Sequence, residues 1–222
     1  MESSVVSFRP AASLTEQIAD HIADEIIRGR MAPQERIREL RVARALGVSR
    51  GSVREALLLL HRRHLIEIVP RRGAVVADMS RRQLDDLYEI METLLTLVAR
   101  RLVELWDEDD EAPFARALDR IEHAAAQGDV AGYADACDAL LAQALALLRN
   151  QYLDAVVEAL LPAARRALFR VVALDPTSLQ AGAGHWRSLL DALSERDLPQ
   201  AEKALDRMFT GHRDALTRAV CH

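Results

Sequence analysis

Residues 39–65, ELRVARALGVSRGSVREALLLLHRRHL, leave this chain few ways to fold. Two short amphipathic helices are predicted on either side of the tight turn Leu46-Gly47-Val48-Ser49. Gly47 falls where the chain must reverse, because a residue without Cβ takes a positive φ cheaply. Ser49 follows as the expected cap of the second helix, its hydroxyl accepting from a free N–H of the first turn. Val42, Ala45 and Leu46 are expected to face Val53, Ala56, Leu57 and Leu60. Arg50, Ser52 and Arg54 then stand on the open side of the second helix's first turn, where a recognition helix meets base edges in the major groove. The pattern is that of a helix-turn-helix, and double-stranded DNA is its expected partner.

The flanking sequence extends this unit. Ser13-Leu14-Thr15-Glu16 has the form of a capping box, and the helix behind it carries Leu14, Ile18, Ile22 and Ile26 on one stripe before ending near Gly29. Pro33 marks a loop. Leu65-Ile66-Glu67-Ile68-Val69 reads as a short strand, Pro70-Arg71-Arg72-Gly73 as a turn, and Ala74-Val75-Val76-Ala77 as a return strand. So short a hairpin is not stable alone and must pack on helices. It is therefore expected to be a wing, with Arg71, Arg72 and Gly73 at a tip suited to phosphate or minor-groove contact. Residues 1–12 show no periodicity and are expected to form a mobile tail. This N-terminal domain is assigned to residues 1–78.

Residues 79–222 read as a second, all-α domain. A capping-box pattern at Ser80-Arg81-Arg82-Gln83 opens a long helix to about Trp106. Residues 107–111 read as an acidic link. Further helices are expected over 113–127, 130–149, 151–174 with a kink at Pro162, 178–196 and 198–219. The expected fold class is mainly α: a winged helix-turn-helix of three helices and a β-hairpin, then a helical bundle.

Charge divides along the same line. The chain carries a net −5 at pH 7, an odd value for a nucleic-acid partner until it is split. Residues 28–72 hold twelve arginines against four glutamates, whereas residues 81–222 hold sixteen basic groups against twenty-four acidic ones. One module attracts phosphate and the other repels it. Lys203 is the only lysine, a bias that explains the choice of arginine but not its clustering. No apolar run reaches the roughly eighteen residues of a membrane span, and no leader pattern opens the chain. A soluble cytoplasmic protein without a membrane partner is expected. Cys137 and Cys221 form no CxxC pair. The sequence lacks GxSxG, GxGxxG, Walker and HExxH motifs, so neither an enzyme nor a cofactor is expected. A helical enzyme tethered to DNA is the remote alternative.

The run from Leu46 through Ser49, Arg50, Val53, Arg54, Glu55 and Ala56 to Leu57, followed by Pro70-Arg71-Arg72-Gly73, resembles the GntR superfamily of bacterial transcription regulators. The helical half is similar to the fatty-acid-regulator type of effector domain called FCD, through Gly128-Asp129, Asn150 and residues 186–193. The resemblance spans roughly residues 13–219. It implies a homodimer that binds a palindromic operator and responds to a small-molecule effector held in the bundle. It also implies that Arg50 and Arg54 read bases, that Ser49 marks a phosphate-contacting helix start, and that Arg71, Arg72 and Gly73 form the wing tip. Arg38 and Arg41, on the first helix of the motif, are expected phosphate contacts, while Arg62, Arg63 and His64 are left open between backbone contact and plain surface. Gln34 departs from the family, which often has glycine there.

Many FCD domains hold a metal with an Asp and three His. Aligned on Tyr133 and Asn150, those positions fall on Cys137 and Leu141; aligned on Leu189-Leu190-Asp191 and Ala201, they fall on Trp186 and Met208. A common Arg and Glu of the first bundle helix correspond to Met91 and Leu95. Thioether, indole and alkyl groups cannot hold a hard divalent ion, so the family's metal site is expected to be absent. Two readings stay open for these six positions: an apolar effector pocket, or a filled core that leaves a constitutive DNA binder. Cys137 reads as a buried structural cysteine. His185 and His212, the remaining candidate ligands, read as surface histidines because no third ligand lies near them in sequence.

Overall fold

The computed structural model describes residues 13–218. The tail expected at residues 1–12 and Cys221 lie outside the described residues. The chain divides between Ala77 and Asp78 into two compact units.

The first unit contains α1 (Leu14–Ile27), α2 (Glu39–Leu46), α3 (Arg50–Arg62), β1 (Ile66–Val69) and β2 (Gly73–Val76). Ser13 caps α1 through a full capping box: its Oγ accepts from Glu16 N at 3.2 Å, and Glu16 accepts from Ser13 N at 2.7 Å. Helix α1 buries Ile18, Ile22 and Ile26 against α3, which contributes Val53, Ala56, Leu57 and Leu60. Helix α2 ends on Gly47, whose φ of +67° lies in the left-handed region expected of this turn. One facing residue differs from expectation. Ala45 is exposed, and Ala43 is buried in its place with Val42 and Leu46 half-buried beside it. In an eight-residue helix the buried stripe passes through residues 39, 42, 43 and 46, and residue 45 lies well around from it.

The wing is antiparallel, with Ile66 opposite Val76 and Val69 opposite Gly73. Arg72 N donates to Val69 O at 3.1 Å across the tip. Pro70 fits the second position of such a turn, and Arg71 takes the positive φ, +63°, at the third. The segment read as a plain loop after Pro33 does more than connect. Arg36 forms an antiparallel bridge to Val75, Ile37 N donates to Ala74 O at 2.9 Å, and Val76 N donates to Glu35 O at 2.9 Å. This third edge satisfies β2's outer backbone groups. Gln34, at its start, has φ +63°, which explains why glycine suits that position.

The second unit is a bundle of α4 (Arg81–Leu105), α5 (Glu108–Gln127), α6 (Val130–Leu148), α7 (Gln151–Leu174), α8 (Ser178–Ser194) and α9 (Leu198–Arg218). Helix α8 packs on α9 and α5, α6 on α5, and α4 on α9, α6 and α7. The supposed acidic link is in fact the first turn of α5. Asp107 N donates to the Asp110 carboxylate at 3.0 Å, and the carboxylates of residues 108–111 sit at the electropositive helix start. Helix α7 runs as one element through Pro162. Helix α6 alone among the described helices is long and apolar enough for a membrane span by length and composition. Here Leu140, Leu141, Ala144 and Leu145 are buried in the bundle core instead.

Candidate DNA-reading face and bundle cavity

Helix α3 begins at the place its sequence dictates. Ser49 Oγ accepts from Ser52 N at 3.0 Å and lies 2.9 Å from Ser52 Oγ. The pair fixes the helix start and leaves one hydroxyl hydrogen free to donate outward. With that turn fixed, the Arg50 and Arg54 side chains project into solvent, 60% and 63% exposed.

Neither guanidinium hangs loose, for a reason that no local sequence pattern reveals. Arg54 grips the Glu39 carboxylate with two bonds, Nε to Oε1 at 3.1 Å and Nη2 to Oε2 at 2.9 Å. Arg50 Nη2 donates to the same Oε2 at 3.3 Å. Arg54 and then Arg50 hold the Glu39 carboxyl below its ordinary range, against the opposing effect of partial burial. One acid at the start of α2 therefore sets the direction of two arginines at the start of α3. Exposed ion pairs contribute about 0–1 kcal/mol, whereas a bidentate arginine–guanine pair is worth about 1–3 kcal/mol. The magnitudes allow the arginines to exchange Glu39 for a base.

The other expected contacts are scattered around this centre. Arg38 is the N-cap residue of α2, and it and Arg41 are exposed. Arg71 is exposed at the wing tip, with Gly73 at φ +83° behind it. Arg72 is tied back, its Nη2 donating to Gln34 O at 3.2 Å. Arg63, one of the residues left open, pairs with Asp20 of α1 at 2.6 Å.

In the bundle, Met91, Leu95, Cys137, Leu141, Trp186 and Met208 all line one cavity of about 100 Å³, between α4, α6, α7, α8 and α9. Sequence reasoning missed its polar groups. The Tyr88 hydroxyl is buried, with no hydrogen-bond partner among the described residues. Its ring lies 5.8 Å from Phe209 and 5.7 Å from His212. His212 is not a surface histidine, because its ring joins the cavity wall. Burial, aided by His185 nearby, lowers its pKa to about 4, so it is neutral at pH 7. His185 is half-buried, and burial lowers its pKa too. The Tyr88 spacing signal existed, since it falls one turn before Met91 on the buried stripe, but an aromatic there reads as ordinary core.

The Tyr133 hydroxyl is engaged with Cys137 and Trp186, and burial pushes both its pKa and that of the Cys137 thiol far up. The thiol is therefore protonated and unreactive. An added Cβ at Gly182 would come within 2.4 Å of that tyrosine hydroxyl, so a glycine on α8 makes the approach possible. At the rim, Arg165 is shared between Asp135 and Asp138, the latter at 3.1 Å. Burial raises the Asp138 carboxyl to about 6, Arg165 opposing the rise. No cluster of three or more potential metal ligands occurs among the described residues.

A winged helix-turn-helix joined to a six-helix bundle with a core cavity defines a class of bacterial transcription regulator. Residues 14–76 match the model of the bacterial regulatory proteins of the gntR family, and residues 86–211 match the FCD domain. The chain belongs to the GntR family and carries an FCD domain. It is 29% identical over 112 residues to the uncharacterized HTH-type transcriptional regulator YdhC of Bacillus subtilis (strain 168), 50% of each chain. It is also 29% identical over 118 residues to the HTH-type transcriptional regulator McbR of Escherichia coli (strain K12), 53% of each. The chain thus spans about half the length of the curated relatives it matches. The solved structure of E. coli McbR/YncC shares its fold with TM-score 0.78 at 23% identity, covering 95% of this chain and 100% of that one. A putative GntR regulator from Rhodococcus sp. RHA1 gives TM-score 0.72 at 23% identity, covering 93% and 99%. The relatives are transcription regulators rather than enzymes.

Proposed function

We propose that this regulator acts as a cytoplasmic homodimer that binds a palindromic operator and is tuned by a small molecule in the bundle cavity. Arg50 and Arg54 read base edges. Arg38, Arg41, Ser49, Ser52, Arg71, Arg72 and Gly73 set the register on the backbone. The observation that carries this reading is the capped start of α3, which holds two guanidinium groups outward on a shared, exchangeable acid.

Dimerisation is supported by apolar side chains that the bundle leaves exposed. Ile90 and Leu97 lie seven residues apart on one face of α4 with half-buried Leu94 between them, and Tyr152 and Val156 lie on α7. A stripe of this kind is more apolar than solvent-facing helix surface needs to be. Two copies would carry two recognition helices to half-sites about 34 Å apart. An effector that favours one arrangement of the pair shifts the population towards it, and about 1.4 kcal/mol of preference changes operator affinity tenfold. The small volume of the cavity favours a second reading, a constitutive binder whose bundle only dimerises.

Selecting bound duplexes from random DNA tests the proposal. A palindromic consensus is expected with the wild type, and loss of preference at defined positions with Arg50→Ala. A consensus that survives this substitution unchanged would remove Arg50 from base reading, and no enrichment at low ionic strength would end the proposal.

A further inference from the structure

The cavity's wall chemistry names the class of molecule it accepts, given the reading above that the bundle holds the effector. Its lining is mainly apolar, and each charged group in it is already answered. Arg165 has two aspartates as partners, Asp138 in the lining and exposed Asp135 outside it, so its charge is already met. A carboxylate ligand would have to displace an aspartate from Arg165 and then sit beside it. The Tyr133 hydroxyl is turned to the Cys137 thiol and the Trp186 indole. What remains is the Tyr88 hydroxyl, 3% exposed and without a partner among the described residues, with the His212 ring beside it.

A buried hydroxyl without a partner is costly, and a ligand that supplies one recovers that cost. The volume limits the rest. A cavity of roughly 150 Å³ lined by apolar groups accepts benzene; this one has about 100 Å³ but is partly open, so one small ring or a short chain is its upper limit. From the orphaned Tyr88 hydroxyl in this mainly apolar cavity, whose lining carboxylate and guanidinium answer each other, we infer that the site takes a small uncharged molecule, a phenol or short-chain alcohol or carbonyl compound, oriented by one hydrogen bond to Tyr88. Among the described residues no group of three potential ligands stands around His212, so the wall offers no anchor for a metal-held carboxylate.

Calorimetric titration of the full chain near neutral pH with phenol, toluene and benzoate tests this directly. Phenol is expected to bind more tightly than toluene, and benzoate at least about tenfold more weakly than phenol, the scale of one lost charge match. Tyr88→Phe is expected to weaken phenol by about five- to tenfold, as one neutral hydrogen bond should, and to leave toluene unchanged. The same substitution removes an unsatisfied hydroxyl, so the ligand-free variant should melt at a higher temperature. Ala164→Val, which adds bulk to the cavity wall, should block phenol and toluene alike and serves if Tyr88→Phe does not fold. Benzoate binding as well as phenol, an unchanged phenol affinity in Tyr88→Phe, or no heat from any probe would each overturn the inference. Operator binding measured in parallel separates the two readings. Retained operator selection without phenol binding sinks this inference alone; phenol binding without operator selection sinks the regulator proposal and upholds this one.

Discussion

The two candidate sites are built by opposite means. The α3 face is polar, exposed and drawn from one short span of chain, residues 38–54, with the wing tip beside it. The bundle cavity is mostly apolar, partly open, and assembled from five helices whose contributing residues lie as far apart as Tyr88 and His212. The first depends on where charges point, and its strength is tied to solvent and salt. The second depends on volume and on unanswered polar atoms, which salt hardly touches. A functional surface can thus be changed without harming the fold, whereas a functional cavity shares every wall with the core.

The largest effect that should separate them is a core truncation. Phe114, 1% exposed and 5.1 Å from the Trp106 ring, is expected to cost the bundle about 3–5 kcal/mol of stability as Phe114→Ala, measured by chemical denaturation. Arg54→Ala should invert that outcome. Its stability change is expected within about 1 kcal/mol, the value of an exposed ion pair, while operator discrimination falls by about 1–3 kcal/mol in competition binding.

Acid titration offers a finer comparison inside the cavity. Burial holds His212 at about 4 in the folded chain, below its ordinary 6.5, and holds Asp138 up at about 6, above its ordinary 3.8. Below pH 6.5 the unfolded chain takes up a proton at residue 212 that the folded chain refuses, so this contribution to stability is lost as pH falls towards 4. Asp138 does the reverse: the folded chain keeps a proton that the unfolded chain releases, so its contribution is lost as pH rises from 3.8 to 6. The slopes oppose each other. Asp138→Asn should therefore leave a chain that weakens on acidification, and His212→Phe one that weakens on going from about pH 4 to 6, each by roughly 1–3 kcal/mol across the window. Equal slopes in the two variants, followed by thermal denaturation, would show that neither group titrates in the cavity as described.

Smaller effects belong to the N-terminal unit's backbone. Ser49→Ala removes the α3 cap and should cost about 1 kcal/mol. Gln34→Gly relieves a positive φ and should stabilise by up to about 1 kcal/mol. A loss of stability there would mean that the Gln34 side chain matters more than its backbone angle.

How much of each site could be read from sequence follows from how it is built. The turn at Gly47, the cap at Ser49 and the exposed face on which the arginines stand are set by neighbours within a few residues, and the local pattern sufficed to place them. Glu39 was missed because its role depends on how α2 packs against α3, eleven and fifteen residues away. The six apolar cavity residues were found only through family resemblance, since apolar residues at helical spacing look alike whether they fill a core or line a hole. Tyr88 lies on the buried stripe, but nothing local shows that its hydroxyl is orphaned or that His212 is neutral. The start of α5 was misplaced because a run of acids reads as a solvated link until a helix terminus is there to stabilise it.

Polarisation titrations of the selected operator and a scrambled duplex across a salt series test the central claim most directly, with wild type beside the Arg50→Ala/Arg54→Ala double variant. The wild type is expected to prefer the operator by about a thousandfold or more. The double variant should bind both duplexes alike and weakly, with a salt slope shallower by up to about two if each arginine also displaces a counterion. An undiminished preference for the operator in the double variant would contradict the account.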